Sequence, residues 1–178
     1  MNFAKIIAIF RGRKSPANIA LIVPDPEITF PHPGNAELFA CLKESSKVAG
    51  PDNGPLWVRE GYEIRSHPDL ESYLFSLITE EGLRKGFAFG RPVIANSGGL
   101  VFAWAGGTHY IWLRLNEERH NDARLDGGRF DPSYGKDWVE FRVGGRHWSP
   151  SNWRDAMERW ARTSYQDGAR MADRPSTT

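Results

Sequence analysis

The 178-residue chain has a single cysteine, Cys41, and no hydrophobic run of the roughly 18 residues that a membrane-spanning helix needs. One cysteine excludes an internal disulfide and a zinc site built on cysteine ligands; its apolar neighbours predict a small buried side chain. The apolar segment 3–10 is followed by basic residues, whereas a secretory signal has them before its apolar run. We therefore expect a cytoplasmic protein that does not enter a membrane.

The sequence also lacks an excess of either charge. It has 23 Lys and Arg against 22 Asp and Glu, a net charge of +1. This balance argues against general electrostatic attraction to nucleic acid or to an anionic membrane. The arginines between residues 142 and 170 alternate with acidic residues, which predicts a solvated helix face of mixed charge. Nucleic acid therefore ranks last among the partners considered, through arginine-rich patches alone.

Catalytic and cofactor motifs are absent. The chain has no Gly-x-Ser-x-Gly, His-Glu-x-x-His, Gly-x-Gly-x-x-Gly or Cys-x-x-Cys. Asp122, Asp126 and Asp131 lie near a glycine pair without the spacing of a calcium loop, and we interpret them as solvated. His32, between two prolines, has no second ligand at metal spacing and is interpreted as a partly exposed loop histidine. We predict no metal and no cofactor.

Aromatic residues, in contrast, are abundant, with seven Trp, ten Phe and five Tyr. Tryptophan fills cores and also anchors interfaces. We expect most of these rings to lie in the core and the others to be available to a partner.

The hydrophobic pattern predicts an α+β fold. From Pro92 to Leu115 the apolar residues repeat with period two, and glycine pairs at 98–99 and 106–107 supply the positive φ of hairpin turns. This segment is predicted to form a three-stranded meander, followed by a surface loop at 116–136 and a fourth strand at 138–143. Strict alternation in the middle strand predicts one face made of Leu100, Phe102 and Trp104 and another made of Val101, Ala103 and Ala105.

Helical spacing marks the remaining elements. Asn35 is predicted to cap one helix, and Ser66 to cap another with Asp69 as its capping-box acid. Gly168 is predicted to end the last helix. The predicted helices cover residues 2–13, 36–47, 66–82 and 149–168.

These elements predict a four-stranded antiparallel sheet flanked by helices, with the two C-terminal helices on one face. The opposite face would expose Trp104 or Trp112 unless it were covered. Residues 1–65 are therefore expected to form an N-terminal α/β extension that packs on the sheet. The domain proper is predicted to span 66–170, and 171–178 to be a disordered tail.

Four short phrases of the second half stand in a distinctive order: Phe89-Gly90, Ser97-Gly98-Gly99, Leu113-Arg114-Leu115 and Phe130-Asp131-Pro132. With the strand at Trp138-Val139 and helices on either side, this order over about residues 70–168 resembles the N-terminal domain of the TfoX family, named after bacterial competence regulators. The chain departs from the family phrase at Ala88 and Arg91, where the family has Met and a second Gly. The resemblance implies an α+β fold and, through the family's association with competence, regulation by macromolecular contacts.

Candidate site residues gather at one end of the predicted sheet. His109 follows a Gly-Gly turn and His147 precedes a helix N-terminus, so each is a candidate acid–base or ligand group, or else a half-solvated turn residue. Glu140 and Arg142 share a strand face, where they are expected to pair with each other or with Arg114 if the face is covered, and to be solvated if it is open. These four, His109, Glu140, Arg142 and His147, are the catalytic candidates. The ligand-binding candidates are Arg146, Tyr110, Trp112 and Arg114.

Three functional hypotheses follow. The first is a non-catalytic module that binds a protein partner or a second copy of the chain, which the aromatic content, the absent motifs and the resemblance favour. The second is a small enzyme or small-molecule-binding protein with a His/Glu/Arg pocket at the sheet end. The third is a regulator associated with nucleic acid.

Overall fold

The computed structural model describes residues 25–47, 57–59, 62–143 and 153–172. Over these residues the fold is α+β, as predicted, but the main antiparallel sheet has six strands where the sequence predicted four. The predicted helix at 2–13 and the candidates Arg146 and His147 lie outside the described residues. Among those described, no helix combines the length and apolar character needed to cross a bilayer.

The strands form one large sheet and one separate hairpin. The hairpin consists of β1 (Trp57–Arg59) and β2 (Tyr62–Ile64). The strands of the main sheet are β3 (Arg84–Ala88), β4 (Arg91–Ala95), β5 (Val101–Gly106), β6 (Tyr110–Arg114), β7 (Arg129–Phe130) and β8 (Trp138–Arg142). Their spatial order is β3-β4-β5-β6-β8-β7, and each neighbouring pair is antiparallel.

In the described part of the chain, five α-helices surround this sheet. They are α1 (Pro26–Thr29), α2 (Ala36–Lys47), α3 (Pro68–Ser76), α4 (His120–Leu125) and α5 (Trp153–Ala172). The predicted loop at 116–136 contains α4 and the edge strand β7, so the prediction of a structureless loop is wrong. The predicted meander corresponds to β4, β5 and β6.

A β-bulge in β5 breaks the predicted alternation of side chains. The register of β4 and β5 shifts between Ile94 and Ala95, which leaves Phe102 with no residue opposite it. Phe102 therefore packs with Ala103 on one face, while Trp104 lies on the other. The prediction that Phe102 and Trp104 share a face is wrong because the bulge adds one residue to the strand.

One face of the sheet, here called the α5 face, packs against α3 and α5, as predicted. Gly168 lies inside α5 and does not end it. A Cβ at this position would stand 2.9 Å from the Cβ of Phe102. Glycine is thus required for the close approach of helix and bulge. The helix continues to Ala172, so the first two residues of the predicted 171–178 tail are helical.

The opposite face, here called the α2 face, is covered by α2 and by Phe30, which follows α1. This agrees with the expectation that the N-terminal region covers the tryptophans. The buried residues of this layer are Phe30, Leu38, Phe39, Leu42, Ala88, Val93, Ala95, Val101, Trp104, Trp112 and Trp138.

The helix caps differ from the predicted ones. His67, rather than Ser66, caps α3, because its Nδ1 accepts a hydrogen bond from the backbone N–H of Asp69. The α3 helix ends at Ser76 instead of Gly82. The α2 helix has the predicted bounds, but the side chain of Asn35 bonds to other segments and does not cap it.

Candidate functional site

Three of the four catalytic candidates, His109, Glu140 and Arg142, lie among the described residues. His109 interacts with the neighbouring hydroxyl of Thr108, and burial, Arg142 and His67 lower its pKa. His109 lies in the turn that leads into β6, and its carbonyl accepts a hydrogen bond from the N–H of Val143 just after β8. Glu140 stands opposite Trp112, which belongs to the α2 face. The predicted His/Glu/Arg pocket stays a prediction, because His147 lies outside the described residues.

Glu140 pairs with a residue that the sequence did not single out. Its carboxylate lies 4.0 Å from Arg129, the residue opposite it on β7, and its side chain is 15% exposed. Burial raises the pKa of Glu140, Arg129 opposes this shift and Asp131 adds to it. Arg142 is exposed, and Arg114 lies at the other end of β6. The predicted pairing of Glu140 with Arg142 or Arg114 is not formed.

Two further ligand-binding candidates, Tyr110 and Trp112, belong to an aromatic cluster on the α2 face. The rings of Trp104 and Trp112 stack with centroids 3.9 Å apart, and Tyr134 meets both of them edge-on. Arg91 lies over Trp104, and burial lowers its pKa to about 10. We interpret Arg91 as part of the packing of α2, because its nearest backbone acceptor is the carbonyl of Leu42.

The fourth candidate, Arg114, reaches a turn that α1 and α2 position. Asn35 is buried in this turn, where its amide donates to the carbonyls of Phe30 and Gly99 and accepts from the N–H of Val101. These three bonds fix the segment 32–35 against the start of β5. A Cβ at Gly34 would stand 3.0 Å from Cδ1 of Leu100, so a larger residue there would require the leucine side chain to shift.

The guanidinium of Arg114 is held in this turn with incomplete hydrogen bonding. One of its terminal nitrogens (Nη2) donates to the carbonyl of Gly34 at 2.9 Å, and the group lies over the ring of Trp138 at 4.8 Å. Its Nε is buried and has no hydrogen-bond partner among the described residues, and the residue is 6% exposed. Burial lowers the pKa of Arg114 to about 10, and the attraction of Asp137 and Glu37 opposes this shift.

A cavity of about 170 Å³ opens beside this arginine. At ~30 Å³ per molecule, that volume holds about six waters. We call it the Arg114 cavity. Its lining residues are His32, Gly34, Glu37, Leu100, Arg114, Gly135, Lys136, Asp137, Trp138 and Met171.

His32 presents a hydrogen-bond donor on this cavity's wall. Its Nδ1 accepts from the backbone N–H of Gly34 at 3.0 Å, so the neutral ring carries its proton on Nε2. Burial and the charge of Arg114 lower the pKa of His32, which favours this neutral form. The cavity is therefore lined by a cationic guanidinium and a neutral imidazole that donates through Nε2.

The same cavity carries charges of both signs. Lys136 adds a second cation, and Glu37 and Asp137 supply two carboxylates. Neither carboxylate forms an ion pair with Arg114 within the described part of the chain. Arg114 is thus a buried cation that is attracted by these carboxylates without being paired to either.

The remaining sequence candidates have structural partners. Asp126 accepts hydrogen bonds from Arg159 and from the indole of Trp160, and Asp131 accepts from the N–H of Ser133. Across the described ranges, no three His, Cys, Asp or Glu side chains come together as a metal site. Cys41 is half-buried instead of buried, and its Sγ lies 2.8 Å from the carbonyl of Ser133.

No family model, no curated protein and no solved structure matches the chain. The resemblance to the TfoX family therefore stays an expectation. What the structure adds to the sequence is a set of cavity residues that the sequence interpretation gave no role: Glu37, Lys136 and Asp137. His32 was considered, but only as a loop residue. The stiff Pro-His-Pro-Gly segment was the one signal in the sequence that could have pointed to it.

Proposed function

We propose that this protein binds a small molecule through an oxyanion that pairs with Arg114 in the Arg114 cavity. One observation supports this most directly: a buried guanidinium, with an unpartnered Nε and without an ion pair among the described residues, lines a cavity. Removing a cation from water costs several kcal/mol unless a partner compensates it. A carboxylate or phosphate oxygen in the cavity would supply that compensation through charge-assisted hydrogen bonds.

The walls of the cavity favour binding over catalysis. No lining residue has a hydroxyl or thiol that could act as a nucleophile. His32 already uses Nδ1 to accept from Gly34, so the ring offers a donor rather than a base. The donors suit the recognition of an oxyanion, which Arg114 would hold by charge and His32 by a hydrogen bond.

One argument for the interaction-module hypothesis, the abundance of aromatic residues, is weaker once the burial of the tryptophans is known. Of the five tryptophans whose side chains are described, Trp104, Trp112, Trp138 and Trp160 are buried and Trp153 is half-buried. The described tryptophans thus belong wholly or partly to the core. Binding to a protein partner, to a second copy or to nucleic acid stays a prediction.

Propionate and inorganic phosphate are the first probes, measured by titration calorimetry and by the fluorescence of Trp138 and its neighbours. We expect saturable binding of at least one of them. A Kd on the order of 1 mM for propionate corresponds to ~0.8 kcal/mol per non-hydrogen atom, below the ceiling of about 1.5. The substitution Arg114→Met should remove this binding.

Arg91→Met is the matched control, because Arg91 is also a buried arginine on the α2 face but does not line the cavity. This variant should keep the affinity of the natural protein. A milder variant, His32→Ala, should weaken binding several-fold without removing the buried charge. If the natural protein binds neither probe at about ten times the expected Kd, the proposal is wrong.

A further inference from the structure

The Arg114 cavity holds more than the donors that an oxyanion requires. Its two cationic side chains, Arg114 and Lys136, are matched by two carboxylates, Glu37 and Asp137, with His32 neutral. A site for a simple anion gains nothing from two carboxylates, because each of them repels the ligand. Their presence on the wall calls for a positive charge on the ligand.

We infer that the ligand is a small zwitterion of the α-amino-acid class, an inference that rests on the proposed function. Its carboxylate pairs with Arg114 and accepts a hydrogen bond from His32 Nε2, and its ammonium group faces Glu37 and Asp137. The cavity has a formal charge near zero at neutral pH, and such a ligand has a net charge of zero. Each charge of the ligand then meets an opposite charge of the protein.

The position of Glu37 agrees with this arrangement. Gly135 has a φ of +108°, and a Cβ on it would stand 2.8 Å from the carboxylate oxygen of Glu37. The carboxylate is thus seated against the backbone of the turn that precedes Trp138. The attraction of Glu37 and Asp137 for Arg114 shows that all three charges act on the same small space.

The apolar part of the wall sets the size of the ligand. Leu100, Met171 and the ring of Trp138 offer a hydrophobic surface to a side chain. The volume of about 170 Å³ must hold the carboxylate, the ammonium and that side chain together. A short aliphatic side chain satisfies both conditions, whereas a long charged one leaves an unpaired charge in the cavity.

Three matched probes test the inference: L-alanine, propionate, which lacks the ammonium group, and ethylamine, which lacks the carboxylate. We expect L-alanine to bind at least tenfold more tightly than propionate, and ethylamine to show no measurable binding. Titration calorimetry at low salt gives each affinity, since screening weakens charge recognition.

Substitutions show which side chains recognise the ammonium group. Glu37→Gln and Asp137→Asn should each lower the L-alanine affinity several-fold, and leave propionate binding unchanged or tighter because a repelling charge is gone. Glu81→Gln is the control, since Glu81 is exposed, lies outside the cavity and changes the net charge equally. Gly135→Ala should mimic Glu37→Gln by displacing the carboxylate.

The outcomes separate this inference from the function on which it rests. Equal or tighter binding of propionate overturns the zwitterion but leaves oxyanion binding in place. A preference for L-alanine that survives both Glu37→Gln and Asp137→Asn also overturns it, because the ammonium group is then recognised elsewhere. If neither L-alanine nor propionate binds, the proposed function fails together with the inference.

Discussion

The α5 face of the sheet is built from hydrocarbon side chains, whereas the α2 face mixes tryptophans with arginines. On the first, the hydrocarbon side chains of Leu113 and its neighbours meet α3 and α5, whose buried polar residues include Glu71, Ser164 and Asp167. On the second, Arg91 and Arg114 are buried beside tryptophan rings. Displaced pKa values occur on the α2 face and its rim, at His32, Cys41, Arg91, Arg114, Tyr134 and Glu140, and also elsewhere, at Tyr73 on α3 and at His109.

This difference separates the contributions of the two faces. A hydrocarbon face stabilises the fold in proportion to the area that it buries. Buried charges contribute little or cost stability, so the buried arginines of the α2 face are candidates for a role besides folding. Neighbouring residues on β6 that point to opposite faces provide the sharpest tests of this comparison.

The largest effect is expected on the α5 face. Leu113 is fully buried there, and Leu113→Ala should lower the free energy of unfolding by about 2–5 kcal/mol through lost burial and a new cavity. Urea denaturation measures the loss. Leu125→Ala is the control, because Leu125 is 85% exposed and its truncation should change stability by less than ~0.5 kcal/mol. If Leu113→Ala lowers the free energy of unfolding by less than about 1 kcal/mol, the α5 face does not stabilise the fold as the comparison states.

A smaller effect is expected one residue further along, on the α2 face. Arg114→Met removes a buried charge and one hydrogen bond to Gly34 while keeping much of the contact with Trp138. We expect the free energy of unfolding to change by less than about 1 kcal/mol, since an apolar side chain avoids the desolvation cost of the cation. A loss as large as that of Leu113→Ala would instead assign Arg114 a structural role.

The smallest effect concerns the rim of the α2 face. Because the pKa of Glu140 is raised in the folded state, the folded protein holds this proton more tightly than the unfolded chain. Stability therefore falls as pH rises from the ordinary glutamate pKa of 4.5 to the raised value, and stays lower above it.

Glu140→Gln should remove this pH dependence, so the variant should be more stable than the natural protein above that window and equal to it below. Denaturation at a series of pH values measures the difference. Glu118→Gln, at an exposed site, should show no such divergence. Equal stability at high pH would mean that Arg129 fully compensates the burial of Glu140.

The sequence predicted the parts of the fold that local periodicity determines. The period-two pattern located β4, β5 and β6, and the helical pattern gave the bounds of α2. The edge strands β3 and β7 were not predicted, because they have little hydrophobic pattern. Strand β3 begins with Arg84 and Lys85, and both residues of β7 are exposed. The sequence did not predict the bulge at Phe102, because β5 is apolar throughout and its hydrophobic pattern does not change where the extra residue lies.

The candidate site was predicted only in part, for a reason of distance along the chain. Arg114 was named as a ligand-binding residue, but its expected partner was Glu140 on the neighbouring strand. Its actual partner, Gly34, is separated from it by 80 residues in the sequence. Spacing rules describe contacts within one element. They could not predict the contact between the 32–37 segment and β6.

Ser164 gives the arrangement around Arg114 a mechanical consequence. Its hydroxyl, on α5, lies 2.7 Å from the carbonyl of Phe102 and 2.9 Å from that of Arg114, so one proton is shared between two strands. The backbone of Arg114 is thus fastened to a helix on one side of the sheet, and its guanidinium to a turn on the other. Arg114 therefore contacts α5 through its backbone and the 32–35 turn through its side chain, so this one residue links the helical layers on the two sides of the sheet.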